Sequence, residues 1–144
     1  MRSIPDILKQ LIIINVLFFV GTFLINPDIS AVSTDLLGLH YTENNRFGIW
    51  QLITHMFMHG GFSHILFNMF GLWMFGSPLA QMWGKNKFLL FYISAGLGAA
   101  LLQLAVNYAQ VSAIMEQLVS AGFSESSVVD LSLIHISEPT RLWT

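Results

Sequence analysis

Hydrophobic residues dominate three stretches of the chain, and shorter polar stretches separate them. The apolar positions cover all faces of a helix instead of one stripe, which is typical of helices that are not exposed to water. The pattern predicts three membrane-spanning helices, at about residues 11–26, 62–79 and 88–108. The second begins near Phe62 and is expected to stop at Gly76-Ser77-Pro78.

The first apolar run has the position of a secretory signal peptide, which is the alternative to a spanning helix. No clear small-x-small cleavage site follows it, and further hydrophobic segments come later in the chain. A spanning helix is therefore favoured. Asn15 within it is interpreted as a helix-to-helix hydrogen bond and not as a catalytic group.

Polar and turn-forming residues between the first two spans predict a loop outside the hydrocarbon from Asn26 to Gln51. Its end, from Phe47 to Ile53, is rich in aromatic and apolar residues, and Trp50 fits the membrane interface. In the third span, two pairs of small residues at four-residue spacing predict close helix packing; they are Ser94 with Gly98 and Gly96 with Ala100.

Composition supports an integral membrane protein. Hydrophobic residues make up 54% of the chain and charged residues 10%, and the mean hydropathy is +0.64. The net charge is −2 without a basic run, so a lipid bilayer is the expected surrounding and nucleic acid is not an expected partner. The chain has no cysteine, which excludes disulfides, thiolate metal sites and a cysteine nucleophile.

Basic residues predict the orientation in the membrane. Arg2 and Lys9 precede the first span, and Lys85 and Lys87 lie between the second and third. The positive-inside rule places these segments, and hence the N-terminus, in the cytoplasm. Residues 110–130 are then an external polar connection, with a short amphipathic helix around 113–119.

Residues 131–144 differ from the rest of the chain. The run LSLIHISEPTR resembles the in-frame translation of a common transposon-based sequencing adapter. We predict that this tail is not native, that 1–130 is the membrane domain, and that His135 has no functional role.

Three histidines and an asparagine near the start of the second span are the main candidates for chemistry: His55, His59, His64 and Asn68. One interpretation is polar helix packing. Another is a zinc site on His55 and His59, which are four residues apart. Against zinc, no Asp or Glu lies in any span, and Gly60-Gly61 breaks the helix after the pair. Neither a metal nor a cofactor is expected.

The third interpretation is an oxyanion site for acyl transfer. His64 and Asn68 project from one helix face on successive turns, and a ring N–H and an amide are suitable donors to an oxyanion. The nucleophile and base would come from elsewhere. Ser63 cannot pair with His64, because neighbouring residues point about 100° apart on a helix.

The order Trp50, His55, His59, His64 and Asn68, with the surrounding FMH and HILFN, strongly resembles the first loop and second helix of rhomboid intramembrane serine proteases. The resemblance continues through Gly76, the Trp83-Gly84 turn and the third span, and covers roughly residues 11–108. It implies an all-α polytopic membrane protein, of which this chain holds the first three helices and first loop of a six-helix core.

The resemblance also implies roles for these residues. His64 and Asn68 match the oxyanion-site residues, His59 matches a histidine that supports the loop, and His55 and Trp50 match loop positions with a supporting role. The family nucleophile lies in Gly-x-Ser-Gly on the fourth helix and the base on the sixth. No Gly-x-Ser-Gly occurs here, so this fragment is expected to be inactive.

Two departures from the family pattern concern the loop. The family often has Trp-Arg where this chain has Trp50-Gln51, and a glutamate where it has Ala80. Three functions remain in competition. They are a serine endopeptidase cleaving transmembrane protein substrates, a pseudoprotease that binds membrane helices without cutting, and a small three-span metal transporter or oxidoreductase subunit. A bacterial inner membrane is the expected location.

Overall fold

The computed structural model describes residues 4–25, 27–42 and 44–124, and every regular element within them is helical. The all-helical prediction is therefore confirmed for this part of the chain. The elements are α1 (Asp6–Phe19) with a π-helical turn (Val20–Leu24), α2 (Pro27–Leu37), α3 (Gln51–Thr54) with a 3-10 turn (His55–Phe57), and α4 (Phe62–Ser120).

α4 is a hairpin of two helices that meet at Gly84. Gly84 has φ 76° and ψ 169°, a left-handed conformation that favours glycine. In one straight helix, Gly76 and Phe88 would be about 18 Å apart. A Cβ placed on Gly76 would instead lie 3.3 Å from the Phe88 ring, so the chain folds back. We call residues 62–83 α4a and residues 85–120 α4b.

The helices are longer than the predicted spans. α1 begins at Asp6, directly after Pro5, and the Asp6 carboxylate lies in its first turn, where it interacts favourably with the helix dipole. α4a continues through Pro78 to Gly84 instead of stopping at 76–78. α4b continues to Ser120, so the predicted separate helix at 113–119 is part of it.

The predicted loop at 26–51 contains a helix, which is a correction to the sequence interpretation. α2 occupies Pro27–Leu37, with Asp28 in its first turn. The run Asn26-Pro27-Asp28 consists of turn-forming residues, but proline at the first helical position and an acid in the first turn are equally typical of a helix start. Residues 125–130 of the predicted external connection lie outside the described residues, as does the tail.

A small buried core lies where α1 meets the Gly84 end of the hairpin; it consists of Ile7, Leu8, Leu11, Ala80 and Phe88. Elsewhere most large apolar side chains are exposed, for example Leu17 at 64% and Phe67 at 72%. The stretches Asp6–Leu24 and Phe62–Ser120 are long and apolar enough to cross a membrane. The parts of α4 on either side of Gly84 are each long enough for one crossing.

Asn15 is fully buried in α1. Its side-chain amide donates a hydrogen bond to the Leu11 carbonyl at 2.8 Å, within its own helix. It also interacts with the side chain of Tyr92 on α4b. The geometric hydrogen bond of Asn15 lies within α1, so the helix-to-helix bond stays a prediction.

Candidate functional site

The C-terminal turn of α2 is capped by side chains from the segment that follows. The last carbonyls of a helix have no partner within the helix. Here His40 Nε2 donates to the Asp35 carbonyl at 2.7 Å, Trp50 Nε1 donates to the Leu36 carbonyl at 2.9 Å, and Thr54 Oγ1 donates to the Leu37 carbonyl at 2.7 Å. These hydrogen bonds hold α3 against the C-terminal end of α2.

Gln51 is the centre of this loop. Its side chain is fully buried and makes three hydrogen bonds: it accepts from the His40 amide at 3.1 Å and donates to the carbonyls of Arg46 at 2.9 Å and Leu36 at 3.3 Å. Arg46 also forms an ion pair with Asp35. The Trp50-Gln51 departure from the family pattern therefore leaves the loop with well-defined polar contacts.

Two predicted supporting residues belong to this segment. Trp50 is half exposed, and its indole N–H caps α2 as described. The backbone at Gly48 lies so close to the Trp50 indole that a Cβ on Gly48 would overlap the ring. His55 is half-buried and donates from Nδ1 to the Gln51 carbonyl at 2.8 Å. Both residues thus make their side-chain hydrogen bonds to carbonyls of the segment between α1 and α4a.

His59 and His64 come together at the start of α4a. His59 is buried, at 4% exposure, and its Nδ1 donates to the Phe57 carbonyl at 3.1 Å. Its ring centroid lies 5.0 Å from that of His64, with the planes tilted by 56°. Burial lowers the pKa of His59, the bond to Phe57 opposes that shift, and His64 adds to it. The neutral imidazole is therefore the favoured form of His59.

Asn68 lies one helical turn beyond His64 on α4a. The four-residue spacing places both residues on the same face of the helix. Asn68 is exposed, and His64 is half-buried with its Nδ1 away from solvent, at this end of the hairpin. The arrangement offers two hydrogen-bond donors to a group that approaches this face.

The zinc interpretation of His55 and His59 does not fit the local backbone. The 3-10 turn ends at Phe57 and Met58 is extended, with φ −86° and ψ 128°. His55 and His59 are therefore not successive positions on one helix, and His59 pairs with His64 instead. Among the residues that the structure describes, no three His, Cys, Asp or Glu side chains are grouped to hold a metal ion.

Sequence reasoning missed the residues that organise the loop, chiefly His40, Gln51 and Thr54. His40 is 1% exposed and Gln51 is fully buried. A polar residue in a predicted external loop gives no sign of burial by itself. The available signal was the helix start at Pro27-Asp28, because recognising α2 implies terminal carbonyls that need donors.

The candidate site lies within a segment that matches a known protein family. The model of the rhomboid domain matches residues 46–138, more than half of the chain and all of the segment from Trp50 to Asn68. The chain belongs to the rhomboid family, and it is an integral membrane protein of that family. The match extends through residue 138, into the tail predicted to be non-native, and the origin of that tail stays a prediction.

Individual relatives agree with this assignment. YdcA of Bacillus subtilis (strain 168) is 44% identical over 48 residues, which are 33% of this chain and 24% of YdcA. Rhomboid protease GluP of the same organism is 40% identical over 48 residues, 33% of this chain and 10% of GluP. The mitochondrial RHOMBOID-like protein 6 of Arabidopsis thaliana is 30% identical over 95 residues, 66% of this chain and 28% of that protein.

The matched segments thus span 24%, 10% and 28% of these three relatives. The similarity concerns one part of a rhomboid protein and does not extend to the whole. No solved structure matches the chain.

Proposed function

We propose that this chain supplies the oxyanion-binding part of a rhomboid serine endopeptidase that cleaves transmembrane proteins. The observation that carries the proposal is the group at the start of α4a, where His59 packs on His64 and Asn68 follows one turn later on the same face. Membership of a family that includes rhomboid proteases supports it.

The chemistry follows from these donors. When a serine attacks a peptide carbonyl, the carbonyl oxygen becomes an oxyanion, and fixed donors lower the energy of that state more than that of the substrate. The Asn68 amide and the His64 ring N–H fill this role. His59 packs against His64 and limits the positions of its ring. The nucleophile and base are supplied by a longer protein, in the Gly-x-Ser-Gly and sixth-helix positions that the family resemblance implies.

The second candidate function is a rhomboid pseudoprotease that binds membrane helices without cutting them. The departures at Gln51 and Ala80 keep this candidate in competition, although neither residue lies among the proposed donors. The coding sequence downstream of Asp130 distinguishes the two functions. A Gly-x-Ser-Gly in the next predicted helix supports the protease, and its absence from the following spans supports the pseudoprotease.

Activity-based labelling tests the proposal directly. We expect no labelling of the 144-residue chain by a serine-directed fluorophosphonate, and labelling of the complete protein that is lost when the downstream serine is replaced by alanine. Labelling of the chain itself would reveal a nucleophile among its own serines and contradict the assignment. If the complete protein carries Gly-x-Ser-Gly but is not labelled, that result would contradict the proposed protease function.

The orientation in the membrane is part of the proposal. Lys9, Lys85 and Lys87 favour a cytoplasmic N-terminus and Gly84 turn, so the His59 end of the hairpin faces the outside of the proposed bacterial inner membrane. The chain has no cysteine, so single cysteines at Thr42 and Asn86 report cleanly. An impermeant maleimide added to intact cells should label Thr42→Cys and leave Asn86→Cys unlabelled; the reverse result would invert the topology.

A further inference from the structure

The 3-10 turn His55–Phe57 lies between two helices and contacts both. On one side, Phe57 packs against Phe18 near the end of α1, with ring centroids 5.6 Å apart and planes tilted by 37°. On the other side, the Met56 side chain extends to Gly96 of α4b. A Cβ built on Gly96 would overlap the sulfur and the terminal methyl of Met56 and lie 2.9 Å from its Cγ.

The space at Gly96 is specific to that position on the hairpin. A Cβ built on Gly98 or on Gly71 meets nothing within 4 Å. Of the two small-residue pairs in this helix, Ser94 and Gly98 are exposed, whereas Gly96 is half-buried and Ala100 is 1% exposed. The glycine at 96 therefore forms a notch, and a side chain from the loop occupies it.

The turn is connected to α4a by a short segment. Only residues 58–61 separate it from the first residue of α4a, and His59 lies within them. A displacement of the turn is therefore transmitted to His59 over three residues, with little chain to absorb it. His59 in turn contacts His64 at a centroid distance of 5.0 Å.

We propose that Met56 is a positioning residue, seated in the notch at Gly96, and that this contact determines where His59 lies against His64. This contact fixes the position of the loop relative to α4b, whereas the hydrogen bonds of Gln51 fix its position relative to α2. The consequence for oxyanion binding rests on the proposed function; the position of the loop does not.

Spin labels measure that position without any assay of proteolysis. Because the chain lacks cysteine, Ile53→Cys on α3 and Leu101→Cys on α4b give one defined pair, and both side chains are exposed. The distance distribution between the labels is measured by pulsed electron paramagnetic resonance on the 144-residue chain in lipid nanodiscs. The parent protein should give a single narrow distribution.

Leucine at position 96 fills the notch and should displace Met56, which broadens or shifts the distribution. Gly98→Leu is the matched control, since it adds the same side chain two residues away in open space, and should leave the distribution unchanged. Met56→Ala should broaden it with the notch intact. The double variant Gly96→Leu with Met56→Ala approximately conserves volume and should restore the narrow distribution.

The His59 ring provides a second readout, because its pKa is lowered by burial. In a nuclear magnetic resonance titration of labelled histidines, assigned with His59→Gln, its pKa should move toward the ordinary value in Gly96→Leu and return in the double variant. A parent-like distribution in both Gly96→Leu and Met56→Ala, a failure of the double variant to restore it, or a broad distribution in the parent would each overturn the proposal. If the complete protein proves inactive while these results hold, only the proposed function fails.

Discussion

The loop between α1 and α4a and the hairpin α4 differ in how their polar groups are hydrogen-bonded and in where their apolar groups lie. In the loop, the buried Gln51 and the half-buried Thr54 bond to carbonyls many residues away. In the hairpin, side-chain hydrogen bonds such as that between Gln103 and Asn107 at 2.8 Å join residues of the same helix, while large apolar side chains remain exposed. The loop is stabilised by its own contacts, whereas the hairpin requires an apolar surrounding.

This difference suggests a division of roles at the boundary between the two regions. The hairpin carries the groups that are proposed to act on a substrate, His64 and Asn68. The loop carries the contacts that place His59 against them. Substitutions in the hairpin donors should therefore affect rate, and substitutions in the loop should affect stability first.

The largest expected effect is on the rate of cleavage. In the complete protein, Asn68→Ala should reduce cleavage of a transmembrane substrate on the order of 10²–10³-fold, because one oxyanion donor is lost. Folding should be unaffected, since Asn68 is exposed. Asn86→Ala in the Gly84 turn serves as the control. Full activity of Asn68→Ala, measured at equal protein in the membrane, would refute the assigned role.

The next effect should be on the stability of the loop. Gln51→Ala leaves the His40 amide and the Arg46 carbonyl without their bonds inside a buried site, which should cost about 2–3 kcal/mol. The Leu36 carbonyl keeps its bond to Trp50. Hydrogen exchange at residues 38–54 in nanodiscs is the measurement, and Gln81→Ala, exposed on α4a, is the control. Equal protection in both variants would show that the network is dispensable.

A third prediction concerns the core of the hairpin. A Cβ at Gly76 would lie at 3.3 Å from both Leu8 and Phe88, so Gly76→Val should overpack the contact of α1 with the hairpin and destabilise it by about 1–3 kcal/mol. The same change at Gly71 meets open space within 4 Å. Thermal unfolding in micelles should separate the two variants, and similar midpoints would contradict the packing.

The smallest expected effect is a pH dependence from His59. Burial lowers the pKa of His59 in the folded protein, whereas in the unfolded chain the pKa of a histidine is about 6.5. As the pH falls, the unfolded chain therefore binds a proton before the folded protein does. Stability should be constant above that pH and decrease below it. The bond to Phe57 opposes the shift and keeps the effect small. Between pH 8 and 5, the free energy of unfolding should depend less steeply on pH in His59→Gln than in the parent protein. An unchanged dependence would show that other groups cause it.

Part of the fold was predictable because it depends on local patterns. Apolar runs without a polar face predict helices in a membrane, and the start of α4 at Phe62 and the Gly84 turn follow from the glycines and charges beside them. The pairing of His64 with Asn68 on one face also follows, since it depends only on helical spacing. The ends of helices were less predictable, because Gly76 and Pro78 remain helical where α1 packs beside them.

The sequence by itself thus determined the helical class, the apolar surfaces and the shared face of His64 and Asn68, all of which depend on residues a few positions apart. Tertiary structure decided the rest. It buried Gln51 at the centre of the hydrogen bonds of the loop. It placed His59 against His64 and not beside His55, and it formed the notch at Gly96 that Met56 fills. The physical reason is that each of these contacts joins residues from different elements, and only the packed chain determines which polar groups lose water and which neighbours replace it.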